Sequence, residues 1–181
     1  MVDHSRTTPE DVQRPRCSNA GALLMSDDRR PPDPAVRSAA LELIEKWLVR
    51  LVADNPVVQA VERDELPDVD RWFVRVTGEE KAVFSVWFHL QQRSLHVETY
   101  VMPAPVERHA ECYEYLLRRN VALRGLAFAV GDEDAVYLVG SVQLAHLDES
   151  ELDRMLGSVY AYVEQHFRPA MRIGYGSRFA G

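Results

Sequence analysis

The sequence predicts an α+β domain in which an antiparallel sheet is covered by helices on one face. Three observations predict it: helical periodicity in three segments, alternation of apolar and polar residues in the segments between them, and short turns within each alternating group. Strands that follow one another through short turns pair antiparallel, and a helix with one apolar stripe needs a surface to cover. The predicted order of elements is α-β-β-β-α-β-β-α.

The composition of the chain suits one domain with a sizeable core. It has 181 residues, of which 46% are hydrophobic, and a formal net charge of -7. This acidic balance disfavours nucleic-acid binding and docking on anionic membrane surfaces, because both need a concentrated basic footprint. Cys17 and Cys112 make a poor disulfide framework, and no apolar run approaches the roughly 18 residues of a membrane span. The N-terminus has no apolar signal segment, so we expect a cytoplasmic protein without nucleic-acid or membrane partners.

Residues 1–32 are expected to form a disordered tail. They are rich in Arg, Asp, Ser, Thr and Pro, a composition that buries too little apolar surface to offset the entropy of ordering. Whether Met25 is the true start is left open by the sequence. The domain is expected at residues 33–175, followed by a C-terminal tail at residues 176–181.

The first helix is predicted to begin at the start of this domain. Asp33 precedes Pro34, which is an N-cap followed by proline at the first helical position. Apolar residues then recur at helical spacing as far as Leu51, and the triplet at residues 54–56 (Asp-Asn-Pro) ends the helix. The next segment, residues 57–63, is left open between a short strand and a loose helical turn.

Three strands are predicted to follow at residues 71–77, 82–91 and 94–102. Apolar and polar residues alternate along each of them, so each strand turns one face towards the core. The predicted core-facing residues are Trp72, Val74, Val76, Ala82, Phe84, Val86, Phe88, Leu90, Leu95, Val97, Thr99 and Val101.

The register between the last two of these strands follows from the reversal that joins them. If residues 92–93 form a two-residue loop, His89 lies opposite His96 and Trp87 lies opposite Glu98. Opposed residues share a face of the sheet, with their Cβ atoms about 5 Å apart.

A second helix is predicted to open at the Pro-Ala-Pro of residues 103–105, since proline is tolerated in a first helical turn, and to end at Gly125. Its predicted apolar stripe is Val106, Ala110, Tyr113, Leu116, Leu117 and Leu123.

The last part of the chain is predicted to contain a second strand pair and a third helix. The strands are residues 126–130 and 135–144, joined by an acidic turn. The helix starts with Asp148 and Glu151 in capping-box spacing, and Pro169 is predicted to end it.

Five stretches of the chain resemble the YbjN domain family of bacterial sensory transduction regulators. They are residues 86–98 (VWFHLQQRSLHVE), 100–105 (YVMPAP), 113–120 (YEYLLRRN), 134–140 (DAVYLVG) and 151–157 (ELDRMLG). The resemblance covers about residues 35–175 and implies a fold similar to that of class I chaperones of type III secretion, which have the same order of elements. Those chaperones are small acidic homodimers that hold unfolded segments of effectors. The family brings no catalytic residues or cofactor that could be carried over to this sequence.

Aromatic and histidine side chains share the polar face of the predicted sheet. Phe73, Trp87, His89, His96 and Tyr100 lie there, and aromatic residues on an otherwise solvent-facing sheet indicate an interface. The alternative is that this face is covered by the N-terminal tail or by the segment after the first helix.

The same face carries a candidate metal site. His89, His96 and Glu98 could converge as two nitrogens and a carboxylate, a ligand set that suits zinc or another divalent transition metal. Such side chains are also ordinary on the polar face of a half-buried sheet, and this second interpretation is favoured.

The remaining candidates for chemistry are weaker. Cys112 lies three residues after His109, but no orienting group or oxyanion donor accompanies them, and Arg118, Arg119 and Arg124 suit a helix C-terminus. No phosphate-binding loop, dinucleotide glycine pattern or metalloprotease helix is present.

The sequence therefore predicts a protein without enzymatic activity that binds and regulates. It would be a cytoplasmic homodimer that engages a protein segment through its sheet face or a groove beside the first helix, by strand addition or by seating an amphipathic segment. The alternative function is a metal or small-molecule sensor that uses the His/Glu cluster, and an enzyme is the weakest of the three.

Overall fold

The computed structural model describes residues 33–66 and 68–179. The elements are α1 (Pro34–Asp54), β1 (Val58–Arg63), β2 (Arg71–Thr77), β3 (Val83–Leu90), β4 (Ser94–Met102), α2 (His109–Arg119), β5 (Leu126–Val130), β6 (Val136–Gln143), a 3-10 turn (Leu144–His146) and α3 (Glu149–Phe179). The predicted α+β class and order of elements are confirmed. The segment that the sequence left open is strand β1, and the tail predicted at residues 1–32 lies outside the described residues.

The sheet has six strands in the order β1-β2-β3-β4-β6-β5, and every neighbouring pair is antiparallel. Along β2, β3 and β4, buried residues alternate with partly exposed ones, as the hydrophobic pattern predicts. Ala82 is the exception, because it is exposed in the turn before β3.

The core lies between the buried face of the sheet and the helices α1 and α3. Trp47 of α1 packs edge-to-face on Phe88 of β3, with their ring centroids 5.4 Å apart. The indole nitrogen of Trp47 donates to Asp153 of α3 at 2.7 Å, which ties the two helices together above the sheet. Each large apolar side chain that is fully buried stabilises the fold by about 1.5–3 kcal/mol.

Helix α2 begins at His109, so its predicted start at residues 103–105 is wrong. Residues 103–107 instead form an extended strap against the end of α3. The backbone N–H groups of Val106 and Glu107 donate to the Gly174 carbonyl at 3.0 and 3.2 Å. Because Pro105 disfavours helical backbone at the residue before it, the chain stays extended there, and Arg108 turns it into α2 with a positive φ of 48°.

Three of the six residues in the predicted stripe of α2 are exposed, and Ala110, near the start of the helix, is one of them. Val106 lies on the strap and is 45% exposed, and Leu117 is 63% exposed on α2. The side chains that α2 does bury are those of Cys112 and Leu116.

Helix α3 runs through Pro169 as far as Phe179, so the prediction that this proline ends the helix is wrong. Proline removes one backbone hydrogen bond, but packing beyond it holds the helical path. Ala170 is fully buried, and a Cβ on Gly174 would lie 2.7 Å from the Pro105 side chain, so the helix and the strap are in close contact. The backbone becomes non-helical at Tyr175, where φ is -141°. The predicted domain boundary at residue 175 stays a prediction.

The imidazole of His166 is enclosed by side chains of α2 and β5. Its Nδ1 lies 3.1 Å from the Tyr115 hydroxyl, and its ring is edge-on to Phe128 at 5.6 Å. Burial lowers the pKa of His166, and the positive charge of Arg119 lowers it further.

We expect acidification to weaken the fold through His166. Above a pH of about 6.5 the histidine is neutral in both states, and its contribution to stability is fully present. Below that pH the unfolded chain binds a proton that the folded chain resists, so the free energy of unfolding falls with pH until the lowered folded pKa is passed. Thermal melts between pH 7.5 and 5.5 measure this fall.

His166→Asn tests that assignment, since asparagine keeps an acceptor for Tyr115 and cannot be protonated. The melting temperature of this variant should fall less between pH 7.5 and 5.5 than that of wild type. His146→Asn, which removes an exposed histidine, is the matched control. An unchanged pH dependence in His166→Asn would assign the effect to other groups, such as His89, whose pKa burial also lowers.

Candidate functional site

The side chains that β2, β3, β4 and β6 turn away from the core form an outer face of three rows across the strands. The first row is Arg71, His89, His96 and Ser141; the second is Phe73, Trp87, Glu98 and Val139; the third contains Arg75, Ser85, Tyr100 and Tyr137. The predicted pairing of His89 with His96 and of Trp87 with Glu98 is confirmed. All five residues predicted to bind a partner therefore lie on one face of the sheet.

Aromatic rings on this outer face are ordered by contacts with each other. Phe73 and Trp87 meet edge-to-face with their centroids 6.0 Å apart, and Tyr100 meets Tyr137 at 5.6 Å. The guanidinium of Arg71 lies 5.6 Å from the Phe73 ring centroid. These rings are partly exposed, while the alternating residues of the same strands are buried.

The histidines of the first row are adjacent, and one of them contacts a carboxylate. His96 Nε2 lies 3.4 Å from Glu98 Oε2. Burial lowers the pKa of His89, and the positive charge of Arg71 lowers it further, so its neutral form is favoured.

The histidines and Glu98 were also predicted as metal ligands. Over residues 33–66 and 68–179, the structure holds no group of three or more His, Cys, Asp and Glu side chains arranged to bind a metal ion. The metal hypothesis for His89, His96 and Glu98 thus gains no support from geometry, and it stays a prediction.

The other candidates are accounted for by local structure. The thiol of Cys112 is fully buried, its Sγ lies 3.7 Å from the Ala170 carbonyl oxygen, and burial raises its pKa, so it is a packed thiol rather than a nucleophile. Arg118 bonds to Glu114 at 2.9 Å along α2, and Arg119 lies over the Tyr115 ring at 4.7 Å.

Lys81, in the turn between β2 and β3, was not singled out by the sequence analysis. Its ammonium donates to the carbonyls of Val101, at 2.9 Å, and Tyr100, and it lies 5.0 to 5.7 Å from the ring centroids of Phe84, Tyr100 and Phe167. Burial lowers the pKa of Lys81 to about 8, whereas the carbonyls and rings favour its charged form. A signal was present in the sequence, because Lys46 and Lys81 are the only lysines among 21 basic residues.

A carboxylate secures the same turn to α3. Glu164 accepts the backbone N–H groups of Glu79, Glu80 and Lys81 at 2.7, 2.8 and 3.2 Å. These hydrogen bonds hold the turn between β2 and β3 against α3, next to the outer-face residues of the two strands.

A model of the YbjN family matches residues 40–170 of the chain, most of the described structure. The chain belongs to the YbjN family. The description of that family is "putative bacterial sensory transduction regulator". Among proteins similar to this chain, an uncharacterized protein of Mycobacterium leprae (strain TN) is 34% identical over 107 residues, which cover 59% of this chain and 58% of the relative. An uncharacterized protein of Mycobacterium tuberculosis (strain H37Rv) is 34% identical over 104 residues, 58% of this chain and 57% of the relative. The chain thus spans less than two thirds of these relatives.

Solved structures with the same fold as this YbjN chain include complexes of two proteins. The ExsC–ExsE complex contains a chain that matches with a TM-score of 0.53 at 16% identity, over 71% of this chain and 93% of that one. The HopA1–SchA chaperone–effector complex matches with a TM-score of 0.50 at 10% identity, over 72% and 97%. The Yersinia pestis type III secretion chaperone SycH, solved with a fragment of YscM2, has a TM-score of 0.46 at 17% identity, over 68% and 96%. For the two structures with TM-scores of 0.53 and 0.50, the likeness at these identities is one of fold.

The YbjN chain has the helices α1, α2 and α3 among its described residues. In the described part of the chain, none of them is both long and apolar enough to cross a bilayer.

Proposed function

We propose that this YbjN protein is a regulator without enzymatic activity that binds a segment of a partner protein on the outer face of its sheet. The observation that carries the proposal is the set of partly exposed rings at Phe73, Trp87 and Tyr100, held in edge-to-face pairs. Rigid aromatic side chains supply large contact area at low entropic cost, and they are enriched where proteins bind each other. His89 and His96 extend this surface with polar groups.

Family and fold support a protein partner. The family is described as a regulator of sensory transduction, and the two fold neighbours with TM-scores of 0.53 and 0.50 were solved with a bound protein. A homodimer in the cytoplasm is part of the proposal. Light scattering tests the dimer, which should have twice the 20.6 kDa mass of one chain, and a strict monomer at high concentration would contradict that part.

Replacing Phe73 and Trp87 by alanine is expected to remove partner binding without unfolding the protein. Central aromatic residues of interfaces contribute about 2 kcal/mol or more each, so capture of the partner should fall at least about tenfold. The measurement is affinity capture from native lysate, with wild type and variant side by side and quantification by mass spectrometry.

Val121→Ala is the matched control, because Val121 is 91% exposed and lies outside the outer face. The proposal requires proteins that wild type and Val121→Ala retain and that the double variant loses. If all three chains capture the same proteins equally, the outer face is not the binding surface. Circular dichroism of the double variant confirms that it is folded.

A further inference from the structure

A groove lies between α1, α3 and the start of β1, on the side of the sheet opposite the outer face. Its volume is about 300 Å³. This is the lower end of the roughly 300–1,000 Å³ of small-molecule pockets, so it suits one or two side chains rather than a larger ligand. The floor is apolar and consists of Leu51, Val57, Val58, Val76 and Leu156.

Gly157 forms the open wall of this groove. It lies inside α3, where glycine is unfavourable because its backbone loses more freedom than that of any other residue. A Cβ built on Gly157 would meet nothing within 4 Å, in contrast to Gly174, which the strap contacts closely. A side chain at position 157 would therefore not clash with the described chain, and the groove is open beside this residue.

The rim of the groove carries polar groups that have unfilled hydrogen-bonding capacity among the described residues. One oxygen of Asp153 accepts from Trp47, and within the described chain nothing bonds to the other. Asn55 uses its side-chain oxygen to accept the Val57 N–H at 3.2 Å, which leaves its amide N–H groups available. The Tyr160 hydroxyl also makes no hydrogen bond among the described residues, although its ring packs on Phe84.

The charge around the groove is negative. Arg50 is paired with Glu149 at 2.8 Å and also interacts with the carboxylates of Asp153 and of Asp54, which line the adjoining depression with it, so three carboxylates outnumber this one cation. An apolar floor beside two carboxylates complements an apolar side chain with a basic neighbour.

We infer that this groove seats one large apolar side chain of a partner segment, and that Asp153 and Asp54 hold a lysine or arginine next to it. The inference takes the class of ligand, a protein segment, from the proposed function. It concerns a second surface, and it does not depend on the outer face.

Gly157→Leu is the decisive variant. Leucine favours helix over glycine and its Cβ has free space, so the variant should melt no lower than wild type, and we expect its side chain to occupy the part of the groove that Gly157 lines. Gln165→Leu, at an exposed position two turns further along α3, is the matched control for an added leucine. Asp153→Asn removes the charge and keeps an acceptor for Trp47.

The experiment selects a display library of twelve-residue peptides on the full chain and measures binding of the enriched peptides to each variant by fluorescence anisotropy. Enriched peptides should share a large apolar residue within three positions of lysine or arginine. Gly157→Leu should weaken their binding at least about tenfold, as expected for loss of a buried apolar anchor. Asp153→Asn should weaken it about two- to fivefold, as for a partly exposed ion pair, and Gln165→Leu should not change it.

The opposite outcomes overturn the inference. They are an absence of enriched peptides, enrichment of acidic peptides, or binding that Gly157→Leu leaves intact. Trp87→Ala separates this result from the proposed function, because it alters only the outer face and should leave groove peptides bound. If no peptide binds the groove, the test of the outer face by capture from lysate still stands. If the outer face captures no partner, the peptide test of the groove still stands.

Discussion

Replacement of Phe88 by alanine is expected to lower the free energy of unfolding by about 3–5 kcal/mol, the range of large-to-small changes at fully buried aromatic sites. Phe88 of β3 is fully buried, and its ring meets Trp47 of α1 edge-to-face. Truncation removes that contact and leaves a cavity beneath α1 that the strand and the helix can close only in part. Chemical denaturation followed by circular dichroism measures the loss.

Phe73→Ala makes the same deletion on the neighbouring strand, but on the outer face. Phe73 is partly exposed and contacts Trp87 and Arg71, so its loss should lower the free energy of unfolding by only about 1 kcal/mol. Equal losses for the two variants would show that the outer face is packed like a core. A large difference shows that Phe73 can be changed to test binding while the fold is preserved.

This contrast between the two faces is the part of the structure that the sequence predicts best. Alternation along β2, β3 and β4 assigns each residue to a face, and the tight reversal at residues 92–93 sets the register of His89 against His96. Both signals are local. The residues of the candidate site could therefore be predicted without knowing where the helices lie.

The prolines show where local signals fail. Pro105 and Pro169 predict the start of one helix and the end of another, yet the first lies on an extended strap and the second lies inside α3. For Pro169 the reason is a tertiary contact beyond it, since the strap donates to the Gly174 carbonyl and Gly174 allows close approach. A rule that considers only neighbours in sequence cannot include it.

The groove and the enclosure of Lys81 also depend on contacts between distant parts of the chain. Lys81 reaches carbonyls some twenty residues away, and the groove joins α1 to α3 across about 100 residues, as does the bond from Trp47 to Asp153. A groove beside the first helix was predicted from the sequence, but local patterns could not identify α3 and β1 as its other walls.

Gly140→Ala is expected to lower the free energy of unfolding by about 1–3 kcal/mol, because the added methyl group overfills a closed site. Gly140 of β6 lies opposite Leu126 of β5, and a Cβ there would be 2.3 Å from the Gly125 carbonyl oxygen. Gly125 has a φ of +72°, a conformation that few other residues adopt, and its carbonyl lies directly before β5, so moving it away from a new Cβ would disturb the entry to that strand. Denaturant titration measures the effect.

Gly157→Ala is the matched control for that change. It adds the same methyl group where nothing lies within 4 Å, and it should raise the free energy of unfolding by about 0.5–1 kcal/mol through helix propensity. If both substitutions had effects of the same sign, crowding at Gly140 would not be the cause.

The Gly140 variant also tests what protects the edge of the sheet at β5. The side-chain amide of Asn120 accepts the Phe128 N–H at 2.7 Å and donates to the Phe128 carbonyl at 3.2 Å, as a neighbouring strand would. A shift of β5 breaks this pair and exposes backbone groups that can pair with another chain. Gly140→Ala should therefore associate at concentrations where wild type keeps its mass, and adding Asn120→Ala should strengthen that association, which light scattering measures. If Gly140→Ala lost stability without any gain in association, the prediction that the variant displaces β5 from Asn120 and exposes the sheet edge would be wrong.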